Sequence, residues 1–257
     1  ILPGLLLVGL YAAYMIFKAI TDPKSCPATP VPEDEKAGLM REVFVALVPP
    51  LLLIVAVLGS ILGGIATPTE AASVGSVGAM LLALLRRRID FSILRQAVIS
   101  TATITSMVFI ILFGAAVFSI VFRMMGGDNL VHEFLSSMPG GAIGAMIIVM
   151  LIMFLLGFIL DTFEIIFIVI PITAPVLLAL DVDPIWLGVM VGVNLQTSFL
   201  TPPFGFALFY LRGVASNAVS TGAIYRGAAP FVILQLIGIA LLFTFPQLFS
   251  WLPDLLY

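Results

Sequence analysis

The sequence predicts an all-α integral membrane protein, folded as a multi-helix bundle. Of its 257 residues, 61% are apolar and 10% are charged, and the mean hydropathy is +1.24. Soluble domains are about half apolar and about a quarter charged, so this composition excludes a water-soluble enzyme and a disordered chain. Long charge-free runs recur without the alternation of a membrane β-barrel. Helices satisfy their own backbone in lipid, and the length suits about six to eight passes.

Charge and metal-binding residues exclude further classes of function. Eleven basic and fourteen acidic residues give a net charge of −3, which predicts no nucleic-acid partner. One Cys and one His exclude a disulfide framework and the usual zinc, haem and iron–sulfur sites. We expect no covalently bound cofactor. The sequence lacks a P-loop and the common hydrolase motifs, so we expect neither an enzyme nor ATP-driven transport by this chain.

The charge-free runs give the order of the elements. Ten of the eleven basic residues lie in three loops between these runs, which the positive-inside rule places in the cytoplasm. The Pro-rich segment 21–42 is then an extended cytoplasmic linker, and residues 128–138 form an amphipathic helix on the outer side. Ile1 lies inside an apolar run, so we expect a piece of a longer protein. The runs fall at about 1–17, 43–65, 69–85, 96–122, 142–160, 165–180, 185–211 and 227–252.

Asp161 and Glu164 lie between two apolar arms, 142–160 and 165–180. One interpretation is two full spans that meet at a wet cytoplasmic turn. The other is a re-entrant hairpin that enters from outside, with its tip near the bilayer midplane. The second arm favours the hairpin, because its 16 residues rise only ~24 Å as a helix. Acidic side chains at that depth are costly and indicate a functional site.

A second polar feature runs from Asn194 to Gly205, inside the run 185–211. Pro202 and Pro203 remove two helical donors, so we expect the helix to break about midway across the bilayer. A broken helix exposes carbonyl oxygens and a half-helix N-terminus, which suit Na⁺ and a carboxylate respectively. The alternative is a proline kink packed against its neighbours. The polar side chains beside the break are Asn194, Gln196, Thr197, Ser198 and Thr201.

Three further features each have two interpretations. Thr67, Pro68 and Glu70 predict a capping box at the start of a helix, although Glu70 could instead contact a partner. Arg123 lies outside the three basic loops, and is either an interfacial side chain or a bidentate ligand for a carboxylate. His132 is either a plain surface residue or a pH sensor.

Several strings occur in an order that resembles a known family. They are GIATPTEAA (64–72), GFILD (157–161) and NLQTSFLTPPFG (194–205). Together they resemble the large membrane subunit of tripartite ATP-independent periplasmic (TRAP) transporters, over essentially the whole chain. The string FYLRGVA (209–215) is most similar to the branch for mannitol or chloroaromatic compounds.

This resemblance implies a domain organisation. The family's large subunit consists of two inverted repeats, each with a re-entrant hairpin followed by a broken helix. Residues 1–20 would then be the last helix of the first repeat, 21–42 the linker and 43–257 the second repeat. Most of the first repeat is absent, so we do not expect this chain alone to transport. The second repeat would contain scaffold-type helices (43–122), the hairpin (142–180), the broken helix (185–211) and a terminal helix (227–252).

The resemblance also implies a function, which is elevator-type secondary transport driven by Na⁺ across the bacterial inner membrane. A periplasmic binding protein would deliver an organic acid such as a dicarboxylate. A small membrane subunit of about four helices, together with lipid, would brace the scaffold. Na⁺ would lie near Asp161 and Asn194, and Arg123 is a weaker candidate for the substrate carboxylate. The residues expected to bind ion or substrate are Asp161, Asn194, Thr197, Ser198, Thr201 and Gly205, with Pro202 and Pro203 at the break.

Two rival functions stay open at this point. One is an elevator-type carboxylate transporter that needs no binding protein. The other is a membrane scaffold that anchors a different complex and transports nothing, in which case the polar residues beside the break would tolerate alanine.

Overall fold

A computed structural model describes residues 2–24, 26, 33–201, 206–215 and 219–247. Every regular element within these ranges is a helix. Six of the described helices are long and apolar enough to cross a membrane. The prediction of an all-α, multi-pass membrane protein is therefore confirmed. The chain forms two compact units, 27–105 and the combination of 1–26 with 106–257.

The helices follow the charge-free runs in order. The run 185–211 gives two helices, the amphipathic segment gives a short helix of its own, and α7 contains a π-helical stretch over Ile165–Val169. In chain order they are α1 (Leu2–Thr21), α2 (Glu33–Leu62), α3 (Pro68–Leu85), α4 (Phe91–Met124), α5 (Gly127–Ser136), α6 (Ala142–Leu156), α7 (Thr162–Ala179), α8 (Pro184–Leu200), α9 (Phe206–Val214) and α10 (Thr221–Thr244).

The start of α2 corrects one prediction. We expected the segment 21–42 to be extended, but α2 begins at Glu33. The prolines of this segment end at Pro32, and the residues that follow it are mostly Glu, Lys, Ala, Leu, Met and Arg. These are strong helix formers, so the helix extends beyond the apolar run on its N-terminal side.

The unit 27–105 contains a helical hairpin formed by α2 and α3. Two glycines of α3 let the helices approach closely. A methyl group at Gly78 would lie 2.3 Å from Leu53 Cδ1, and one at Gly75 would lie 3.2 Å from Val57 Cγ2. Positions 75 and 78 thus face 57 and 53 in reverse order, so the two helices are antiparallel. Small residues at such contacts are typical of helices that pack in membranes.

The unit formed by 1–26 and 106–257 has a continuous apolar core. Helix α8 contacts α6, α9 and α10, and α10 also packs against α1. The two arms α6 and α7 pack against each other, and α5 packs against both. Fully buried core residues come from several of these helices, among them Leu135, Met146, Met153, Ile165, Leu177, Met190 and Leu242.

Helices α1 and α10 meet through one glycine and a group of aromatic rings. A methyl group at Gly238 would lie 2.7 Å from Leu7 Cδ2. The ring of Phe231 meets the rings of Tyr11 and Tyr14 edge to face, with centroids 5.2 and 5.5 Å away. Such edge-to-face pairs are favourable for the aromatic quadrupole, so they fix the register of the two helices.

Two polar groups are buried at this same contact. Gln235 of α10 is fully buried, and it faces the hydroxyl of Tyr11 on α1. Neither the amide atoms nor the hydroxyl has a well-formed hydrogen bond to another described residue. A buried amide in this state is costly in an apolar environment.

Candidate functional site

The hairpin between α6 and α7 ends in a short turn over residues 157–161. Asp161 is the N-cap of α7, with extended backbone angles, and its Oδ1 accepts a hydrogen bond of 2.7 Å from the N–H of Thr162. The carboxylate of Glu164 accepts one of 3.2 Å from the N–H of Asp161. The two half-buried acids therefore form a capping box.

This capping role was missed from the sequence. The spacing of Asp161 and Glu164 is the same as that of Thr67 and Glu70, where we did predict a cap. The strongly apolar flanks of Asp161 favour an interpretation based on the cost of burying charge, and the same spacing also predicts helix initiation. The capping role leaves Asp161 chemically competent, because a carboxylate has about four acceptor positions, and the N–H groups of Thr162 and Glu164 use two of them.

Helix α7 is irregular beyond its first turn. Residues Ile165–Val169 form a π-helical stretch, and Pro171 and Pro175 cannot donate backbone hydrogen bonds. The hydroxyl of Thr173 donates to the carbonyl of Val169 at 2.9 Å. Short π-helical stretches inside helices are frequent at functional sites. The second arm of the hairpin thus differs from a plain membrane span directly after its acidic tip.

The polar end of α8 is buried against the first arm of the hairpin. Asn194 is 2% exposed, and its Nδ2 donates a hydrogen bond of 2.8 Å to the carbonyl oxygen of Met150 on α6. Thr197 is fully buried, and Ser198 is 4% exposed. Gln196, in contrast, is exposed. The structure therefore gathers three of the predicted residues on the side of α8 that packs inside the unit.

The hydroxyl groups of this segment bond back along their own helix. Thr197 donates to the carbonyl of Val193 at 3.0 Å, and Ser198 donates to that of Asn194 at 3.3 Å. Thr201 donates to the carbonyl of Thr197 at 2.8 Å. Each hydroxyl oxygen keeps its acceptor lone pairs after donating, so these side chains retain oxygen atoms that could bind a cation.

The hairpin tip and the polar end of α8 are in direct contact. A methyl group at Gly157 would lie 2.2 Å from Ser198 Cβ and 2.3 Å from its Oγ. Only a residue without a side chain permits this approach. Gly157 belongs to the turn that Asp161 ends, so the contact brings the acidic tip and the buried polar residues of α8 into one region.

The predicted helix break is present. Helix α8 ends at Leu200, Thr201 is extended with φ −96° and ψ 129°, and a new helix begins at Phe206. The break lies where the proline pair predicts it. The three remaining predicted positions of this segment, Pro202, Pro203 and Gly205, lie outside the described residues.

Arg123 lies at a distance from the hairpin tip. Its Nε is 3.4 Å from Asp128 Oδ2, and both side chains are more than half exposed. Together with Asn129 and His132 it lines a cleft of about 460 Å³ against the Pro171–Pro175 stretch of α7. Ten residues of helix separate Pro171 from Asp161, which corresponds to about 15 Å. The structure thus does not bring Arg123 to the acidic tip.

The remaining predicted residues have local partners. Thr67 caps α3, and its N–H and hydroxyl both donate to Glu70 Oε2 at 2.8 Å, so the predicted capping box is confirmed. Glu70 is exposed, and a role in contacting a partner stays a prediction. His132 is exposed, with Nδ1 3.5 Å from the hydroxyl oxygen of Ser136.

The ligand set of the hairpin region suits a hard cation better than a transition metal. Across the described ranges, no group of three or more His, Cys, Asp or Glu side chains could hold a metal ion. The hairpin region instead offers one capping carboxylate, hydroxyl and amide oxygens, and the carbonyls at the end of α8. Such oxygen donors are the ligands of hard cations.

Comparison with known proteins gives one family. The model of a family described as the tripartite ATP-independent periplasmic transporter, DctM component, matches residues 1–248. The large permease UehC for ectoine and 5-hydroxyectoine from Ruegeria pomeroyi is 29% identical over 99% of this chain. The C4-dicarboxylate large permease DctM of Rhodobacter capsulatus is 28% identical over 100% of it.

A further relative adds a different substrate. The sialic acid permease SiaT of Haemophilus influenzae is 26% identical over 99% of this chain. The aligned part is 58% of UehC, 57% of DctM and 40% of SiaT. The chain therefore spans about half the length of the relatives it matches.

Proposed function

This chain belongs to the DctM family of tripartite ATP-independent periplasmic transporters, and on that premise we propose that it forms the ion- and substrate-binding half of an Na⁺-driven importer of organic acids. The family consists of transporters and not of enzymes, in agreement with the expectation from the sequence. The observation that carries the proposal is the contact between the hairpin tip at Gly157 and the polar end of α8 at Ser198.

The hairpin is the first support. Helix α6 has 15 residues, which rise about 22 Å, less than the ~30 Å of a hydrocarbon core. An arm of that length, followed by an acidic turn packed on a buried helix, suits a re-entrant hairpin whose tip stops within the membrane. Irregular backbone at that depth is tolerated where it lines a cavity or is buried in protein.

The broken helix is the second support. Discontinuous helices supply carbonyl oxygens and helix ends to the ion and substrate sites of many secondary transporters. We place Na⁺ between Asp161 and the polar end of α8, where Thr197, Ser198 and Thr201 carry hydroxyl groups and Asn194 carries an amide. Gly205 and the proline pair would continue this site.

Charge balance links the ion to the substrate. An organic anion beside Asp161 would concentrate negative charge at low dielectric, where repulsion is strong. A bound cation neutralises part of that charge, so each ligand raises the affinity for the other. This reciprocity gives coupled uptake without ATP.

The substrate class follows from the relatives. Their names specify ectoine, sialic acid and C4-dicarboxylates, all of which carry a carboxylate. We therefore propose a small organic acid as substrate. The closer resemblance to the mannitol or chloroaromatic branch gains no support from these three relatives. Arg123 lies away from the acidic tip, so it would contact the substrate carboxylate only at a separate position, in its own cleft with Asn129 and His132, where the substrate would have to displace Asp128 from the guanidinium.

The partners and location are part of the same proposal. A periplasmic binding protein would deliver the substrate, and a small membrane subunit would complete the permease in the bacterial inner membrane. No residue of the membrane-span segment of α2, Gly38–Leu62, is buried within the described structure. An apolar surface of this kind needs lipid or another membrane segment as its neighbour.

The test is uptake into proteoliposomes that hold the intact permease that carries this sequence, together with its small subunit. Radiolabelled organic acids are offered with an inward Na⁺ gradient, with and without the binding protein. Uptake that needs both supports the proposal, and uptake that needs Na⁺ alone supports the stand-alone elevator. If folded protein moves no tested acid, and alanine at Thr197 and Ser198 leaves ligand binding unchanged, the scaffold function is favoured instead.

A further inference from the structure

A basic cleft lies in the unit 27–105, where the start of α2 meets the end of α3. Its volume is about 550 Å³. Three arginines contribute to its lining, Arg41 from α2 and Arg86 and Arg88 from the end of α3 and the turn after it. Glu42 is the one acidic side chain among the described lining residues. The cleft therefore has an excess of positive charge, and it lies outside the proposed ion and substrate site.

The antiparallel packing of α2 and α3 explains why these arginines converge. The guanidinium of Arg86 donates a hydrogen bond to the backbone carbonyl of Val45, 41 positions earlier in the chain. The N–H of Arg86 closes the last turn of α3 on the carbonyl of Leu82. Arg87 then adopts a left-handed conformation with φ 50°, which ends the helix. Arg86 thus holds one wall of the cleft against the other.

The position of the cleft matches the headgroup level of a bilayer. The membrane-span segment of α2 is Gly38–Leu62 and that of α3 is Pro68–Leu85. Arg41 lies at the first of these ends and Arg86 directly after the second. The apolar side chains next to the cleft are exposed, with Val45 at 59% and Leu85 at 80%. The cleft therefore opens beside a surface that suits acyl chains.

We propose that this cleft binds the phosphodiester headgroup of an anionic phospholipid in the cytoplasmic leaflet. Guanidinium groups bind phosphate oxygens through paired hydrogen bonds, and basic clefts between membrane helices on the cytoplasmic side recognise such headgroups. The exposed apolar turns beside the cleft hold the acyl chains. This site is independent of the proposed transport function, because it lies wholly within the unit 27–105.

A lipid explains the cleft better than a free phosphate ion. Free phosphate would use the three guanidinium groups but leave the adjoining apolar surface uncovered. An acidic segment of a partner protein would also pair with the arginines and bury the exposed apolar side chains beside the cleft. The experiment therefore has to distinguish such a partner from lipid.

The experiment is native mass spectrometry of the intact permease, titrated with phosphatidylglycerol or with phosphatidylcholine of the same acyl chains. The test variants are Arg41→Gln and Arg88→Gln, singly and together. Arg86 is left unchanged, because its bond to Val45 supports the helix packing. The control is Arg95→Gln, which removes the same charge from the loop-proximal end of α4, where the side chain is exposed and does not line the cleft.

The expected result is preferential retention of phosphatidylglycerol by the unchanged protein. Each single cleft variant should bind phosphatidylglycerol about fivefold more weakly, and the double variant about 25-fold more weakly. Arg95→Gln should match the unchanged protein, and the thermal unfolding midpoint without lipid should be the same for all variants. Millimolar inorganic phosphate or glycerol 3-phosphate should displace little of the lipid.

Four outcomes would overturn the proposal. Equal retention of phosphatidylglycerol and phosphatidylcholine would show that the cleft does not recognise the charge of the headgroup. An equal loss in Arg95→Gln would show a general effect of net charge. Full displacement by a soluble phosphate, or loss of a co-purifying protein with lipid retention unchanged, would assign the cleft to that other ligand.

Discussion

Gly157 and Ser198 touch without room for a single additional carbon atom, since a methyl group at position 157 would lie 2.2 Å from Ser198 Cβ. This contact joins the tip of the hairpin to the buried polar end of α8. Asp161 ends the turn that begins at Gly157, so this contact places that turn against α8. The proposed cation site therefore depends on a glycine that carries no chemistry of its own.

We expect Gly157→Ala to destabilise the protein by about 1–3 kcal/mol, the usual cost of overpacking a tight contact. The neighbouring Cβ belongs to a buried residue near the end of a helix and cannot move aside freely. Chemical denaturation of the purified permease in detergent measures the effect. Gly192→Ala is the matched control, because a methyl group there would meet nothing within 4 Å. Equal stability of the two variants would show that the hairpin tip is not packed as described.

The second prediction concerns the bond between Asn194 and the carbonyl of Met150. Asn194→Leu keeps the approximate volume but removes the donor, so it should cost about 1–2 kcal/mol in the free energy of unfolding. Gln196→Leu, an exposed position two residues further on, should change that free energy by less than about 0.5 kcal/mol. Denaturant unfolding measures both, and a larger loss for Gln196→Leu would contradict the assignment.

The third prediction isolates the charge of Asp161 from its capping role. Asparagine caps helices as well as aspartate, so Asp161→Asn keeps α7 intact and removes only the charge. We expect Na⁺-dependent uptake, measured in the proteoliposomes described above, to fall at least about tenfold, which corresponds to ~1.4 kcal/mol of lost cation binding.

Glu70→Gln is the control for that substitution. It neutralises the acid of the other capping box while a glutamine still accepts the N–H bond. Uptake by this variant should stay within about twofold of the unchanged protein. Equal losses in the two variants, at matched expression and folding, would refute the assignment of Asp161 to the ion site.

The charge-free runs and the proline pair were enough to predict the helices and the break near position 201. Hydropathy alone misplaced the start of α2, since the residues after Pro32 are polar helix formers. The capping role of Asp161 was available in its spacing to Glu164. The contact between Gly157 and Ser198 was not, because it joins residues far apart in sequence and depends on how α6 and α8 pack. The Asn194 amide donates to a backbone carbonyl, and every residue has one, so the residue type at position 150 does not predict this bond.

The last prediction concerns Gln235, whose amide is fully buried, faces the hydroxyl of Tyr11 and has no well-formed hydrogen bond to a described residue. A buried amide without a partner costs about 1–3 kcal/mol in proteins. Gln235→Leu replaces it with an apolar side chain of similar volume. We therefore expect the thermal unfolding midpoint to rise by several degrees, on the order expected for ~1 kcal/mol.

Tyr11→Phe provides the matched measurement on the other side of this contact. It removes the facing hydroxyl and keeps the edge-to-face contacts with Phe231, so the midpoint should rise or stay unchanged. A lower midpoint in both variants would mean that Tyr11 and Gln235 bond to each other, or to a shared partner in the intact permease such as a buried water. The two side chains would then belong to a polar site between α1 and α10 that stabilises the folded protein.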